Sequence, residues 1–290
     1  MIRTSSHLYY ALPVVDIALA SDATNDERQR KLAALEAAGH PVVRIEIADA
    51  LDLVQEVFRW EIATAVVGAT LELNPFDQPD VEAAKTASRE LMMQAGKAGG
   101  LPAQKADLEA EGARFFAGKA LSDSARSAGG DPQALMKALV ESLEATDTFA
   151  INAFLEDTPS IRSALQSIRE AVHTRRKVAT TLDFGPRYLH STGQLQKGGP
   201  NRLAGLQLWQ SASARAGTAT GKAKGKTKAK GKPLAIPGLG GDFDTLVEAQ
   251  ATGDFTVLCD RDRRMIGIDV GADPAATLSK LATWFEGALA

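Results

Sequence analysis

Apolar and polar positions along the chain change period several times, and each change marks an element. Val14 to Ala20 is a compact apolar run of strand length, and Asn25 to Ala38 carries leucines and alanines at helical spacing before Gly39 stops it. Val42 to Ile47 alternates again, so the chain opens β-α-β. Ala50 to Leu73 is the strongest helical stretch. Its Leu53, Val57, Trp60, Ala63 and Val67 recur on one side while Glu56, Arg59 and Glu61 fall elsewhere, which predicts an amphipathic helix laid against a sheet. Two prolines in NPFDQPD, residues 74 to 80, break the run. Helical spacing resumes from Val81 through Met93, with Asp80 placed as a cap and Glu82 in the first turn.

Residues 103–133 are polar, alanine-rich and punctuated by glycine, with little beyond Phe115 and Phe116 to anchor a core, which predicts a weakly structured connector. The expected organisation is a first α/β segment over 1–101, a connector over 102–133 and a second α/β segment over 134–290. That second segment reads as a helix from Pro132 to Leu143, a strand from Thr148 to Leu155, and a helix started by Thr158 or Ser160 with Ile161, Leu165, Ile168 and Val172 in phase. Strands follow at Lys177 to Leu182 and Leu203 to Trp209. A helix over Phe243 to Gln250, short strands at Phe255 to Leu258 and Met265 to Val270, and an amphipathic helix from Pro274 to Leu289 complete the pattern.

Composition narrows the class. With 24% charged and 44% hydrophobic residues, the 290-residue chain is expected to bury a globular core and not to be disordered. A net charge of -3 gives no general nucleic-acid signal, and the lone Cys259 excludes an internal disulfide and fits a reducing cytoplasm. The N-terminal apolar patch returns to charge too soon for a signal peptide, and no apolar run reaches membrane-spanning length. Ser211 to Pro233 differs in kind: six lysines alternate with Gly, Ala or Thr around no large apolar residue. This reads as a flexible insertion serving solubility or spacing, with attraction to a phosphate backbone as the alternative.

The densest chemistry lies in Leu182 to Gly199, LDFGPRYLHSTGQLQKGG, which follows a predicted strand. The loop concentrates Arg187, Tyr188, His190, Ser191, Thr192, Gln194 and Lys197 and suits an anion and polyol site, since Arg and Lys match a phosphate, Ser, Thr and Gln match sugar hydroxyls, and His190 can move a proton near neutrality. The same composition also describes an ordinary glycine-rich connection. His190 and Lys85 are the best proton donors, and a base would come from Glu61, Glu72, Glu82, Glu156 or Glu170. One cysteine and four dispersed histidines give no metal cluster, and neither G-x-G-x-x-G nor a P-loop is present, so no metal and no cofactor are expected. His190 stands beside Ser191 in sequence, which weakens a hydrolase triad.

LELNPFDQPDVEAAK and DFGPRYLHSTGQLQKGGPN resemble signature stretches of the glucose-6-phosphate isomerase half of bifunctional transaldolase/glucose-6-phosphate isomerase proteins. HPVVRIEIADALDLVQEVFRWEIATAVVGA and FDTLVEAQATGDFTVLCDRDRRMIGIDV resemble neighbouring parts of that half. The resemblance implies a sugar isomerase (SIS)-like fold, a mostly parallel sheet between helix layers. It also implies interconversion of glucose 6-phosphate and fructose 6-phosphate through ring opening and a cis-enediol, within glycolysis and gluconeogenesis. Carried over residue by residue, it makes His190 the ring-opening histidine and Lys85 the lysine at the ring oxygen, with Glu170 offered as the base. Arg187, Ser191, Thr192, Gln194, Lys197 and Gln78 become the expected substrate contacts. Glu72 and Asp80 stand where the family has small residues, and Gln196 where it commonly has a histidine. The matched stretches omit the front isomerase lobe and the transaldolase barrel, which implies a site completed by another chain in an oligomer. A noncatalytic sugar-phosphate-binding or scaffold protein of the same fold is the competing expectation.

Overall fold

The computed structural model describes residues 13–22, 25–215, 234–238 and 241–290. Residues 1–12, the first part of the N-terminal apolar patch, lie outside the described residues, as does the lysine-rich stretch beyond Arg215. The chain divides into two units, Met1–Asp77 and Gln78–Ala290. The break therefore falls inside NPFDQPD and not in the expected connector over 102–133.

In the first unit, β1 (Val14–Leu19) and β2 (Val42–Ile47) pair in parallel and are joined by α1 (Asp26–Ala37), whose start is capped by Asn25 accepting from Arg28 N–H. The helix α2 (Asp52–Thr70) follows. Its expected burial is not met: Leu53, Val57, Trp60 and Val67 are 42–55% exposed, whereas Glu56 is buried. Two strands offer too narrow a surface to cover a helix of 19 residues. Gly68 serves a close approach, since a Cβ there would meet Pro75 Cδ at 2.6 Å, so its place in the helix lets the following loop fold back.

The second unit is built on a six-stranded sheet. In chain order its elements are α3 (Pro79–Ala98), β3 (Leu108–Ala110), β4 (Ala113–Ala117), α4 (Ser122–Ser127), α5 (Pro132–Glu141), β5 (Thr148–Phe154), α6 (Pro159–Arg176) and β6 (Ala179–Phe184). They continue with α7 (Gly193–Gly198), β7 (Leu203–Trp209), the two-residue strands β8 (Ala235–Ile236) and β9 (Gly241–Asp242), α8 (Phe243–Asp260), β10 (Arg264–Asp269) and α9 (Pro274–Ala288). The sheet order is β3-β4-β10-β7-β5-β6, with β10, β7, β5 and β6 parallel and β4 antiparallel to both its neighbours. Helices cover both faces. On one, α5, α6 and α9 bring Leu135, Leu139, Leu165, Ile168, Leu278 and Phe285 against Phe149, Ile151, Leu206 and Ile266. On the other, Phe255 and Leu258 of α8 meet Trp209, Met265 and Tyr188, and α3 packs on the back of α8. Each such fully buried large side chain contributes roughly 1.5–3 kcal/mol.

Two expectations are corrected here. Residues 103–133 are not a loose connector: β3 and β4 form a hairpin on the sheet, turned by Glu111 and Gly112, both at positive φ, and Phe115 is fully buried. Phe255 to Leu258 is not a strand, because α8 runs unbroken to Asp260. Ala249, Ala251, Thr252, Asp254, Phe255, Val257 and Leu258 are all buried, so this part of the helix lacks the one-sided period that would reveal it.

The parallel strands fix where ligands can sit. β6 lies to one side of β5, and the next strand, β7, lies to the other, so the winding direction reverses between β5 and β7. In open α/β sheets the crevice at the carboxyl ends of such strands is the usual ligand position.

Candidate functional site

The stretch after β6 is held from inside. Past a cis Gly185–Pro186 bond, a short 3-10 turn over Arg187–His190 sends Tyr188 into the core, where its ring meets Phe154 edge to face at 5.7 Å. The Tyr188 hydroxyl donates to Asp254 and lies 3.3 Å from Gln207 Oε1. Burial, with Asp254 adding to it, raises the phenol well above its ordinary value and keeps it a neutral donor. One turn later α7 buries two further polar residues. Lys197 Nζ lies 2.5 Å from Asp254 Oδ1 with both side chains fully buried, and it also donates to Gly193 O at 3.2 Å. Gln196 exchanges hydrogen bonds with Asn152 of β5, and Arg263 closes the end of α7 by donating to the carbonyls of Gln196, Lys197 and Gly199.

Gln194 links this segment to α3. Its Oε1 accepts the N–H groups of Asp80 and Val81 at 3.1 and 3.3 Å, capping the helix, while its Nε2 donates to Asp80 Oδ2 at 2.7 Å. Arg261 takes the other oxygen of the buried Asp80 at 2.6 Å. The sequence stretches NPFDQPD and HSTGQ thus meet in space through one amide and one carboxylate.

Where α3 and α8 run past the Arg187–His190 turn they enclose a cavity of about 750 Å³. Val81, Ala84, Met92, Leu189 and Leu246 supply an apolar wall, and Lys85, Ser88, Arg89, Lys97, His190 and Gln250 supply polar groups. Lys85 is held by Glu82, Nζ to Oε1 2.5 Å, and this contact lowers the Glu82 carboxyl below its ordinary range. His190, at the end of the turn, is exposed. The fold therefore brings Lys85 and His190 to one cavity.

Other expected site residues stand elsewhere. Glu170 is exposed on α6, bonded to Gln166, on a helix that covers the opposite face of the sheet from Tyr188, so it is not brought to the cavity. Lys197 is consumed by its buried pair and Gln194 by capping α3, which removes both from the set of open substrate contacts. Arg187 pairs with Asp157 at 2.7 Å, and its contact, after that of Arg162, lowers the Asp157 carboxyl. Ser191 donates to Tyr188 O. Thr192 Oγ1 is buried without a partner, and Gln78 is the exposed N-cap residue of α3, making no side-chain cap bond. None of these four lines the cavity. Among the described residues, no cavity-lining side chain is a carboxylate.

Tyr188 belongs to the loop that the sequence marks, whereas its network partners Asp254, Asn152 and Gln207 lie in no sequence motif. A polar residue inside a strand that is otherwise apolar on both faces, as Asn152 and Gln207 are in β5 and β7, is the signal that was there to find.

The fold and cavity define a mixed α/β protein with helices flanking its sheets. Among the described residues no helix is long and apolar enough to cross a membrane, and no group of three or more His, Cys, Asp or Glu is placed to hold a metal ion. No family model matches the chain, and no curated protein does. Among solved structures, it is similar to a hypothetical protein, TT0462, from Thermus thermophilus at 14% identity and a TM-score of 0.39, over 59% of this chain and 43% of that one. The chain thus spans under half the length of that protein.

Proposed function

We propose that the chain is a sugar isomerase-like protein that contributes Lys85 and His190 to the interconversion of glucose 6-phosphate and fructose 6-phosphate, at a site completed by another chain. The observation that carries this is the meeting of Lys85 and His190, from two distant motif stretches, at one cavity of about 750 Å³. In this reading His190 moves the proton that opens the ring, and Lys85 donates toward the ring oxygen as charge develops there. Arg89 and Lys97 add positive charge for the phosphate. The proton shuttle between C2 and C1 needs a carboxylate. Glu82 is exposed and tied to Lys85, which makes it a weak base, so the base comes with the partner chain. A cytoplasmic setting suits a single thiol, Cys259, that burial pushes up to about 12 and leaves unreactive.

A second reading rests on the same cavity. Its apolar wall and the absence of a lining carboxylate favour a noncatalytic sugar-phosphate-binding or scaffold protein of this fold. The two separate on mixing. The purified chain alone is expected to give little turnover of glucose 6-phosphate, and addition of a front isomerase lobe from a transaldolase/glucose-6-phosphate isomerase fusion protein to restore it. Turnover by the chain alone removes the need for a partner. Binding of fructose 6-phosphate with no turnover in any mixture leaves the scaffold reading in place.

A further inference from the structure

The first unit holds a cavity of its own, of about 400 Å³, which shares no residue with the one that Lys85 and His190 line. One face of α2 forms most of it: Leu53, Glu56, Val57, Trp60, Glu61 and Thr64 recur in the i, i+3, i+4 pattern that gathers side chains on one side of a helix. Ile17 of β1 adds to the apolar wall. Phe76 comes from the loop that Gly68 lets fold back, where its N–H donates to Asn74 Oδ1 at 3.0 Å.

Glu56 sets the chemistry of this space. It is only 5% exposed, and among the described residues no lysine or arginine lines the cavity with it. Its Oε1 meets Arg59 at 2.7 Å, on a side chain that is itself 63% exposed, while its Oε2 is buried with no partner. A buried carboxylate oxygen without a donor is costly to a fold, so it marks a place where a donor is missing. Thr64 spends its hydroxyl proton on Trp60 O at 2.8 Å, which leaves its oxygen to accept. Glu61 brings a second, exposed carboxylate, and Trp60 and Phe76 bring aromatic rings, whose faces attract cations. Acid, aromatic and apolar groups in one cavity suit an organic cation. A quaternary ammonium has no N–H and would leave Oε2 unsatisfied, whereas a primary ammonium supplies both the charge and the donor.

We infer that this cavity binds a primary alkylammonium group, which donates to Glu56 Oε2 and Thr64 Oγ1 while its hydrocarbon chain rests on Ile17, Leu53, Val57 and the rings of Trp60 and Phe76. The group belongs to a free amine or to a lysine side chain, which share this chemistry. The inference goes beyond the isomerase reading and does not depend on it, since the ligand is a cation and none of these residues belongs to the Lys85 and His190 cavity.

Isothermal titration calorimetry of the full chain at low salt tests it, with n-butylammonium, tetramethylammonium and n-butanol as separate probes. Saturable binding of n-butylammonium is expected, at least about tenfold tighter than that of tetramethylammonium, which lacks the donor, or of n-butanol, which lacks the charge. Nα-acetyl-lysinamide presents the same ammonium from a peptide: tighter binding than n-butylammonium assigns a lysine side chain, and weaker binding assigns the free amine. Glu56→Gln keeps the size of the side chain and should weaken binding at least about tenfold, and Trp60→Leu about two- to fivefold. Near-UV circular dichroism checks that each variant is folded, and the comparison of probes on the unaltered chain decides the matter without them. His190→Ala should bind n-butylammonium as the parent does, whatever it does to isomerase activity. Equal binding of n-butanol or tetramethylammonium, binding that survives in folded Glu56→Gln or falls with His190→Ala, or no saturable binding overturns the assignment.

Discussion

Lys197 shows how far a single residue's role depends on what surrounds it. In sequence it stands among glycines and hydroxyls like an exposed phosphate ligand; in the fold it is fully buried against Asp254. Breaking such a pair from one side leaves an uncompensated charge, so Lys197→Met should cost about 3–5 kcal/mol in urea unfolding. Adding Asp254→Asn should recover most of that loss, because the amide still accepts from Tyr188. Asp183, at the end of β6, carries a carboxyl raised chiefly by burial, with Thr181 opposing. A raised folded pKa means that the folded state holds its proton more tightly than the unfolded state. Stability is then unaffected at pH below the ordinary aspartate range and falls as pH rises through the raised value. Asp183→Asn should therefore stabilise the protein at neutral pH and not in acid, which thermal unfolding across pH will read. Glu72 sits just past the end of α2 at φ 56°, the left-handed conformation that glycine adopts without strain. Glu72→Gly should be stabilising by up to roughly 1 kcal/mol in urea unfolding, the relief of strain minus the added freedom of the unfolded chain.

Among the elements, legibility followed one-sidedness. α6 and α9, apolar on a single face and started by a capping residue with proline behind it, appear at their expected places. β2 and β7 match their expected bounds. The end of α8 and the β3-β4 hairpin did not declare themselves, the first because it is buried all round and the second because its short strands are brief and polar toward one side. The meeting of Lys85 with His190 was expected, but the joint that makes it, Gln194 capping α3 and gripping Asp80, was not, since capping across the fold leaves no local spacing to read. Gln194→Ala frees two N–H groups of α3 and strips one partner from a buried carboxylate. A loss of about 1–2 kcal/mol is expected, and isomerase activity in the mixed assay should fall with it through displacement of α3.

At the scale of the molecule, the second unit carries a full sheet with helices on both faces, while the first carries two paired strands and a helix whose Leu53, Val54, Phe58 and Ile62 stay open. The cavity of the second unit offers donors but no carboxylate among its lining residues, so the proposed isomerase reading takes its base from a partner chain. The most direct test follows the C2 proton of glucose 6-phosphate by NMR in deuterated water, with the chain present together with a front isomerase lobe. Loss of the C2 proton signal at a rate that drops at least about a hundredfold in Lys85→Ala and His190→Ala, with both variants folded, is the predicted result. Exchange unchanged by either substitution, or no exchange in any mixture, contradicts it.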